Sequence, residues 1–589
     1  MEERERYMTD KELLRRLSFY AKPYWKQFLL VFLIMLVSIF YELASPWLVG
    51  YIERMIKEDF PLKALFQTLV IYVGILLISV LCTYLQTILL QKVGQKILSK
   101  IRRDLFSHIE SLSHHQLTCN PVGKLVTRVA NDTNAISMMF TNVLSNLLKN
   151  TMVIVGVVIA MLSLNFLLAL MVLAFSPLII GLTIVFRYFT RKAYRKVTDS
   201  RTQLNTFLSE NLSGIKITQI FNREEQKMKE FLTQSKGYAE AKKQQLLVFS
   251  IFRPSVYMLY ISTVLALFYF GAKGYLEGVT LFGQVIESGV MVSFYMYITK
   301  FYNPIQMLAE QFDILQRSFA SAEKIFSIMD QEPEIVDDVD AMEIQTLKGN
   351  IEFKDVWFCY KPGEWILKGV SFQVKAGQTV AFVGATGSGK TTILSLLCRN
   401  YDIQKGQILV DGIDIRKIKI SSLRRHFGQM LQDVFLFSGN IRSNILLQKE
   451  GITDEEIMKV CRYVNADHFI NKLEKGLEEE VRERGSNFSV GQRQLLSFAR
   501  TIIHNPSVMI LDEATANIDT ETELLIQDSL EKMRNIGTML VVAHRLSTIR
   551  HADKIILLSK GKILEEGNHQ QLLSLKGKYY QLYSLQEQF

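Results

Sequence analysis

Paired cysteines are missing from this chain. The five it has, at positions 82, 119, 359, 398 and 461, form no CxxC or CxxxC pair, so neither a zinc site nor a disulfide framework is expected. Also missing is a basic stripe with interleaved aromatics. The formal net charge of +10 therefore does not point to nucleic acid; it fits lysines and arginines gathered on the cytosolic side of a membrane. Nor is a cleavable signal expected of its opening stretch. The opening stretch MEERERYMTDKELLRRL is charged and amphipathic, the pattern of an interfacial helix lying before a first span.

What is present divides into two halves. The 589 residues allow several domains, and the hydrophobic share of 49% averages two different compositions. Long uncharged runs fill the first half: 28–52 interrupted by Glu42, 64–91, 150–186 and 254–272. The third is long enough for two spans with a turn near Ser163-Leu164-Asn165. A weaker sixth candidate, 288–309, contains Lys300. Six spans put both termini inside. Lys92, Lys96, Lys100, Arg102 and Arg103 follow the second span, and Arg187, Arg191, Lys192, Arg195 and Lys196 follow the fourth; both clusters mark cytosolic segments. These segments keep a helical apolar period with few breakers, as helices continuing well below the bilayer would. Breaks at His115–Pro121 and at Ser213–Lys216 would each place a short crosswise helix at the far tip.

Two ionisable residues fall inside spans, Glu42 and Lys300, the latter near Tyr295, Tyr297, Phe301 and Tyr302. Such residues are costly in a bilayer. One reading is a water-filled, aromatic-lined cavity in which Glu42 attracts a cationic solute. The other is pairing of Glu42 with a neighbouring helix, or a place near an interface. The acidic stretch from Asp330 to Gly349 ends the membrane-type pattern and is expected to be a linker. This gives a membrane domain over 1–330, a linker over 331–350 and a soluble domain over 351–589.

In the soluble half a strand-like run, Thr379–Val383, leads into GATGSGKTT and an apolar helix. That order is the context a phosphate-binding P-loop requires. Gly384, Gly387 and Gly389 let backbone N–H groups of the loop, with Ala385, Thr386, Ser388 and Thr392, curl around phosphates. Lys390 reaches the β- and γ-phosphates, and Thr391 offers a hydroxyl to Mg²⁺. A buried-type strand, Ser507–Leu511, ends in Asp512-Glu513. Asp512 can hold the Mg²⁺ shell and Glu513 can polarise an attacking water. A third strand, Thr538–Ala543, ends at His544, a candidate γ-phosphate contact. Gln432 either orders water and Mg²⁺ or caps a turn. Tyr360 either stacks on adenine or packs a sheet edge.

The stretch GSNFSVGQRQ, 485–494, reads as a turn opening a helix that Asn505-Pro506 stops. A helix start of this kind makes an anion site, a second one in a chain that already holds a P-loop. These pieces together resemble an exporter-type ABC half-transporter: Tyr360 (A-loop), GATGSGKTT (Walker A), Gln432 (Q-loop), Glu483 (X-loop), FSVGQ (signature), ILDEATANID (Walker B and a D-loop ending at Asp519) and His544 (switch histidine). NPVGKLVTRVANDT and GIKITQIFNREE resemble the family's two coupling-helix regions.

The resemblance implies a helical membrane domain with six spans, followed by an α/β P-loop ATPase domain with a helical subdomain. It implies two nucleotide domains closing head to tail on two ATP molecules, so that Ser489, Val490, Gly491 and Gln492 face nucleotide held by a partner. It departs from the usual LSGGQ at Phe488 and Val490, and from the usual D-loop serine at Ala516. With Walker A and Glu513 intact, the chain is similar to the catalytic-glutamate chain of bacterial heterodimeric multidrug exporters. The expected partners are a second, non-identical half-transporter, the bilayer and a small amphipathic substrate, in a bacterial cytoplasmic membrane. A homodimeric lipid flippase of the same fold is the alternative. Six spans exclude a soluble DNA-repair ATPase, and a membrane-anchored regulator without turnover would be indifferent to loss of Glu513.

Overall fold

The computed structural model describes residues 8–58, 62–276, 286–430, 433–512, 520–542 and 550–587. They form two compact units, one of residues up to 110 with 122–331, the other of 111–121 with 332–589.

The first unit is helical. Thr9 caps Asp10–Ala21 by accepting from Glu12 N, and that helix buries Leu13, Leu17 and Tyr20 along one face. Five helical segments among the described residues are long and apolar enough to cross a membrane: Asp10–Lys57, Leu62–Ser111, Val122–Leu164, Phe166–Ser213 and Glu224–Tyr275. The expected turn at 163–165 is where Asn165 leaves helical geometry and caps the next helix through Leu168 N. Both expected breaks hold short helices, His114–Cys119 and Ile215–Ile220.

The sixth helix, Ser288–Met329, is less apolar than those five, carrying Lys300, Asn303 and several tyrosines along its first half. Its Phe294, Tyr297, Ile298, Phe301 and Tyr302 are buried. Three of its buried polar side chains are paired: Tyr297 Oη donates to Leu43 O at 2.6 Å, Ser293 Oγ donates to Pro46 O at 3.0 Å, and Tyr302 Oη lies 2.6 Å from Thr263 Oγ1. Gly50 and Gly289 let the first and sixth helices touch backbone to backbone; a Cβ on Gly50 would sit 2.3 Å from Gly289 O. Glu42 and Lys300 form an ion pair across the same interface. The two residues read separately in the sequence are therefore each other's partner, and the negative charge of Glu42 is already compensated.

In the second unit, six strands lie in the order Lys562–Gly567, Lys554–Ser559, Thr379–Val383, Thr538–Val542, Val508–Asp512, Phe427–Met430. All neighbours are parallel except the first pair. Residues alternate between two cores. Val380, Phe382, Val508, Ile510, Leu540 and Val542 face one; Ala381, Val383, Met509, Leu511, Met539 and Val541 face the other. A sheet buried on both faces needs apolar residues at every position, which is why these runs show no polar alternation. The first core is completed by an antiparallel sheet, Trp365–Val374, Ile351–Cys359, Lys405–Val410, Ile413–Asp414. The second is completed by helices that include Ile441–Leu446, Asp454–Tyr463 and Val490–Ile503.

Candidate functional site

Parallel pairing puts the carboxyl ends of Thr379–Val383, Thr538–Val542 and Val508–Asp512 side by side, the edge where open α/β sheets bind ligands. The first of these strands runs into the glycine-rich loop. Gly384 takes φ +149°, and a Cβ there would stand 2.2 Å from Leu558 O, so only glycine passes. Gly389, at φ +103°, opens the helix Lys390–Leu397 from a left-handed cap. Between them Ala385, Thr386 and Gly387 are exposed, while Ser388 and Lys390 are buried.

Lys390 Nζ donates to Gly384 O at 2.7 Å and Ala385 O at 3.1 Å. Burial pushes its ammonium below the ordinary lysine value, against the opposing pull of Asp512 at the end of the strand two places away in the sheet. Ser388 Oγ is buried with no hydrogen-bond partner among the described residues. A buried cation and a buried hydroxyl in a glycine-rich loop that opens a helix are a donor set that fits a phosphate. Thr391, exposed on the first helical turn, and Asp512, half-buried, are oxygen donors of the kind Mg²⁺ takes.

Tyr360 follows the strand Ile351–Cys359 and is 40% exposed. Its Oη lies 3.1 Å from Thr392 Oγ1, which ties it to the P-loop helix. Its ring meets Phe358 and Tyr401 edge to face, with centroids 4.8 and 5.1 Å apart. Tyr401 had no signal in the sequence; only the fold brings it to Tyr360. Gln432, Glu513, Asp519 and His544 lie outside the described residues.

Comparison with known proteins agrees with this layout. Residues 28–304 match the family described as ABC transporter transmembrane region, and 367–516 match the family described as ABC transporter. An ABC transporter ATP-binding protein of Streptococcus pneumoniae, exp8, is 37% identical over 98% of this chain and 97% of its own length. The chain belongs to the ABC transporter family. An ATP-dependent lipid A-core flippase of Syntrophus aciditrophicus is 32% identical over 98% of this chain and 94% of its own. A Bacillus subtilis protein, YheH, whose name carries the words multidrug resistance ABC transporter, is 37% identical over 91% and 80%. The solved structure of a bacterial Atm1-family ABC exporter with ATP bound superposes with a TM-score of 0.77 at 26% identity, over 95% of this chain and 98% of that one. This is a half-transporter of the exporter type: a membrane-embedded ABC exporter chain with a cytosolic domain that binds ATP and couples its hydrolysis to transport. Such exporters work as dimers.

In this ABC transporter, Ser489 caps the signature helix Val490–Ile503. Its Oγ accepts from Gln492 N at 3.2 Å, and Gln492 Oε1 accepts from Ser489 N at 2.9 Å, a reciprocal capping box. Ser489 and Val490 are exposed and Gly491 is buried. Phe488 belongs to the core of the helical region, 6.1 Å from the ring of Phe469. Its departure from the family's leucine is a change of core filling, without consequence for what the loop presents outward. Val490 alone alters the presented surface. Glu483 is exposed at the turn before the signature, where Arg484 takes φ +57°.

Proposed function

We propose that this chain exports amphipathic small molecules as the catalytic-glutamate half of a heterodimer. The observation that carries the transport reading is the buried Lys390 within a glycine loop at the carboxyl ends of parallel strands, in a chain that also holds five helical segments long and apolar enough to cross a membrane. In the proposed cycle, loop N–H groups, Lys390 and Ser388 hold the phosphates of ATP, and Tyr360 stacks on the adenine. Thr391, Asp512 and Gln432 would hold Mg²⁺, and the ion, when bound, would supply positive charge against the phosphates during transfer. Glu513 accepts a proton from the attacking water, and His544 steadies the γ-phosphate side. Ser489, Val490, Gly491 and Gln492 face nucleotide held by the partner subunit, and Asp519 lies at the same junction.

Support for a non-identical partner comes from Val490 alone, a branched side chain exposed where the family's glycine leaves the helix start open. Support for the substrate class comes from relatives. One name carries multidrug resistance and another lipid A-core flipping. The second reading, a homodimeric lipid flippase, rests on the latter. Reconstituted into liposomes, the transporter is expected to show ATP hydrolysis stimulated by amphipathic drugs. Stimulation by lipid-linked saccharides and not by drugs would favour the flippase.

A further inference from the structure

The edge strand of the parallel sheet, Phe427–Met430, borders a cleft of about 480 Å³ that no step of the proposed ATPase cycle uses. Five of the residues lining it can carry positive charge. Arg424 and Arg425 come from the end of the helix Ile420–Arg425, and Lys449 from the stretch after Ile441–Leu446. Arg500 and His504 come from the far end of the signature helix. Among the described residues, no aspartate or glutamate lines the cleft. The carboxylate that acts on Arg424, Asp337, is itself engaged with Arg399 at 3.6 Å and with the backbone N–H of Ile420 at 2.8 Å.

Three of these cations are anchored by neutral oxygens, which fix their place without cancelling their charge. Arg500 donates from Nε to Asn444 O at 2.8 Å, from Nη1 to Phe435 O at 3.0 Å and from Nη2 to Asn444 Oδ1 at 3.1 Å. Arg424 donates from Nε to Cys398 O at 3.2 Å and from Nη2 to Arg399 O at 2.9 Å, closing the end of the P-loop helix Lys390–Leu397. Lys449 Nζ donates to Ile503 O at 2.8 Å. Donors are left over, since a guanidinium has five N–H groups and an ammonium three. Arg425 makes no ion pair, and His504 Nε2 is buried with no hydrogen-bond partner, among the described residues. Burial pushes the guanidinium groups of Arg424 and Arg500 below the ordinary arginine value. It also pushes the imidazole of His504 down, and the charges of Lys449 and Arg500 push the same way. Charge has been taken partly out of water here with no counter-charge, which is costly until an anion completes it.

We propose that this cleft is a second anion site of the nucleotide-binding domain, separate from the P-loop, and that it takes a phosphate-bearing anion. Guanidinium groups match the oxygens of a phosphate two at a time, and an ammonium adds a point charge. The occupant would join two parts of the domain. Arg424 and Arg425 lead into the edge strand, while Arg500 and His504 end the helix that begins at Ser489. The two parts already meet, since a Cβ on Gly428 would stand 2.4 Å from Thr501 Cγ2. A bound anion therefore fastens the edge strand to the signature helix and stabilises the folded domain by mass action. The same chemistry is offered by free inorganic pyrophosphate and by the phosphates of a second nucleotide.

The test uses the full chain in detergent, its P-loop saturated with a non-hydrolysable ATP analogue and Mg²⁺. Radiolabelled pyrophosphate is measured by equilibrium dialysis with the same free Mg²⁺ on both sides. Saturable binding beyond the P-loop occupant is expected. Arg425→Gln and Lys449→Gln are each expected to weaken it about tenfold, the scale of one hydrogen bond to a charged group. Lys375→Gln, an exposed lysine outside the cleft, is expected to leave it unchanged. Displacement of the label by ADP at lower concentration than by unlabelled pyrophosphate would assign the site to a nucleotide, and the reverse order to free pyrophosphate. No saturable binding once the P-loop is filled overturns the site. So does binding that neither cleft substitution weakens, or that Lys375→Gln weakens equally. The wild-type measurement decides the first point even where a substituted chain fails to fold.

Discussion

Lys390 donates to two carbonyls of its own loop, so its ammonium is positioned by the same turn that would surround a phosphate. Replacing it with methionine keeps the stem and removes the charge. ATP turnover is expected to fall at least about 100-fold, the scale for losing one charged stabiliser of a transition state, with thermal stability nearly unchanged. Gly384→Ala is a different failure: a methyl group 2.2 Å from Leu558 O must displace backbone. Nucleotide affinity and melting temperature are expected to drop together, and a normal melting curve would refute the steric account. In the membrane unit, Glu42 and Lys300 each keep about a quarter of the side chain accessible, 27% and 26%. Glu42→Gln or Lys300→Met alone leaves one charge unpaired and is expected to cost roughly 1–3 kcal/mol, less than a fully buried pair. The double substitution should be milder than the sum, a coupling that a double-mutant cycle in detergent melts would measure.

At the scale of elements, the signature helix separates packing from presentation. Phe488→Leu preserves the core and is expected to cost under about 1.5 kcal/mol, whereas Phe488→Ala leaves a cavity beside Phe469 and is expected to cost about 3–5 kcal/mol. The stretch 348–350 is fastened by Asp411, which accepts from the backbone N–H groups of Lys348, Gly349 and Asn350 and from the Asn350 side chain. Burial alone would raise the Asp411 carboxyl, but these bonds outweigh it and hold it below the usual carboxylate range. The charged form is thus favoured by the fold. Its stabilisation is complete above the unfolded value of about 3.9 and is lost as pH falls through the depressed folded one. Asp411→Asn should lower the melting temperature at pH 7, with a difference from wild type that shrinks on acidification below pH 4. A constant difference across that window would show that shape, not charge, is what Asp411 supplies.

At the scale of the whole molecule, the elements most legible in the sequence were those fixed by local rules. The P-loop sits between a strand and a helix, Asn165 caps a helix after a span, and Gly214 and Pro121 flank short helices; each needs only neighbours in the chain. Illegible were contacts between distant segments. Nothing in the sequence pairs Glu42 with Lys300, sets Tyr401 against Tyr360, or sends Phe488 into a core. The same limit applies to the partner, whose residues, in the function proposed above, would complete the site from another polypeptide. Ser489 decides between the two assemblies. In a homodimer every hydrolytic site contains a Ser489, and Ser489→Ala should reduce turnover about 100-fold. In a heterodimer this serine faces the weaker site, while Glu513 serves the working one, so Ser489→Ala should reduce turnover only a few-fold and Glu513→Gln should abolish it. The heterodimer reading further expects this chain, purified alone, to bind ATP and turn it over slowly. Rapid turnover by the lone chain, together with a severe Ser489→Ala defect, would establish the homodimer instead.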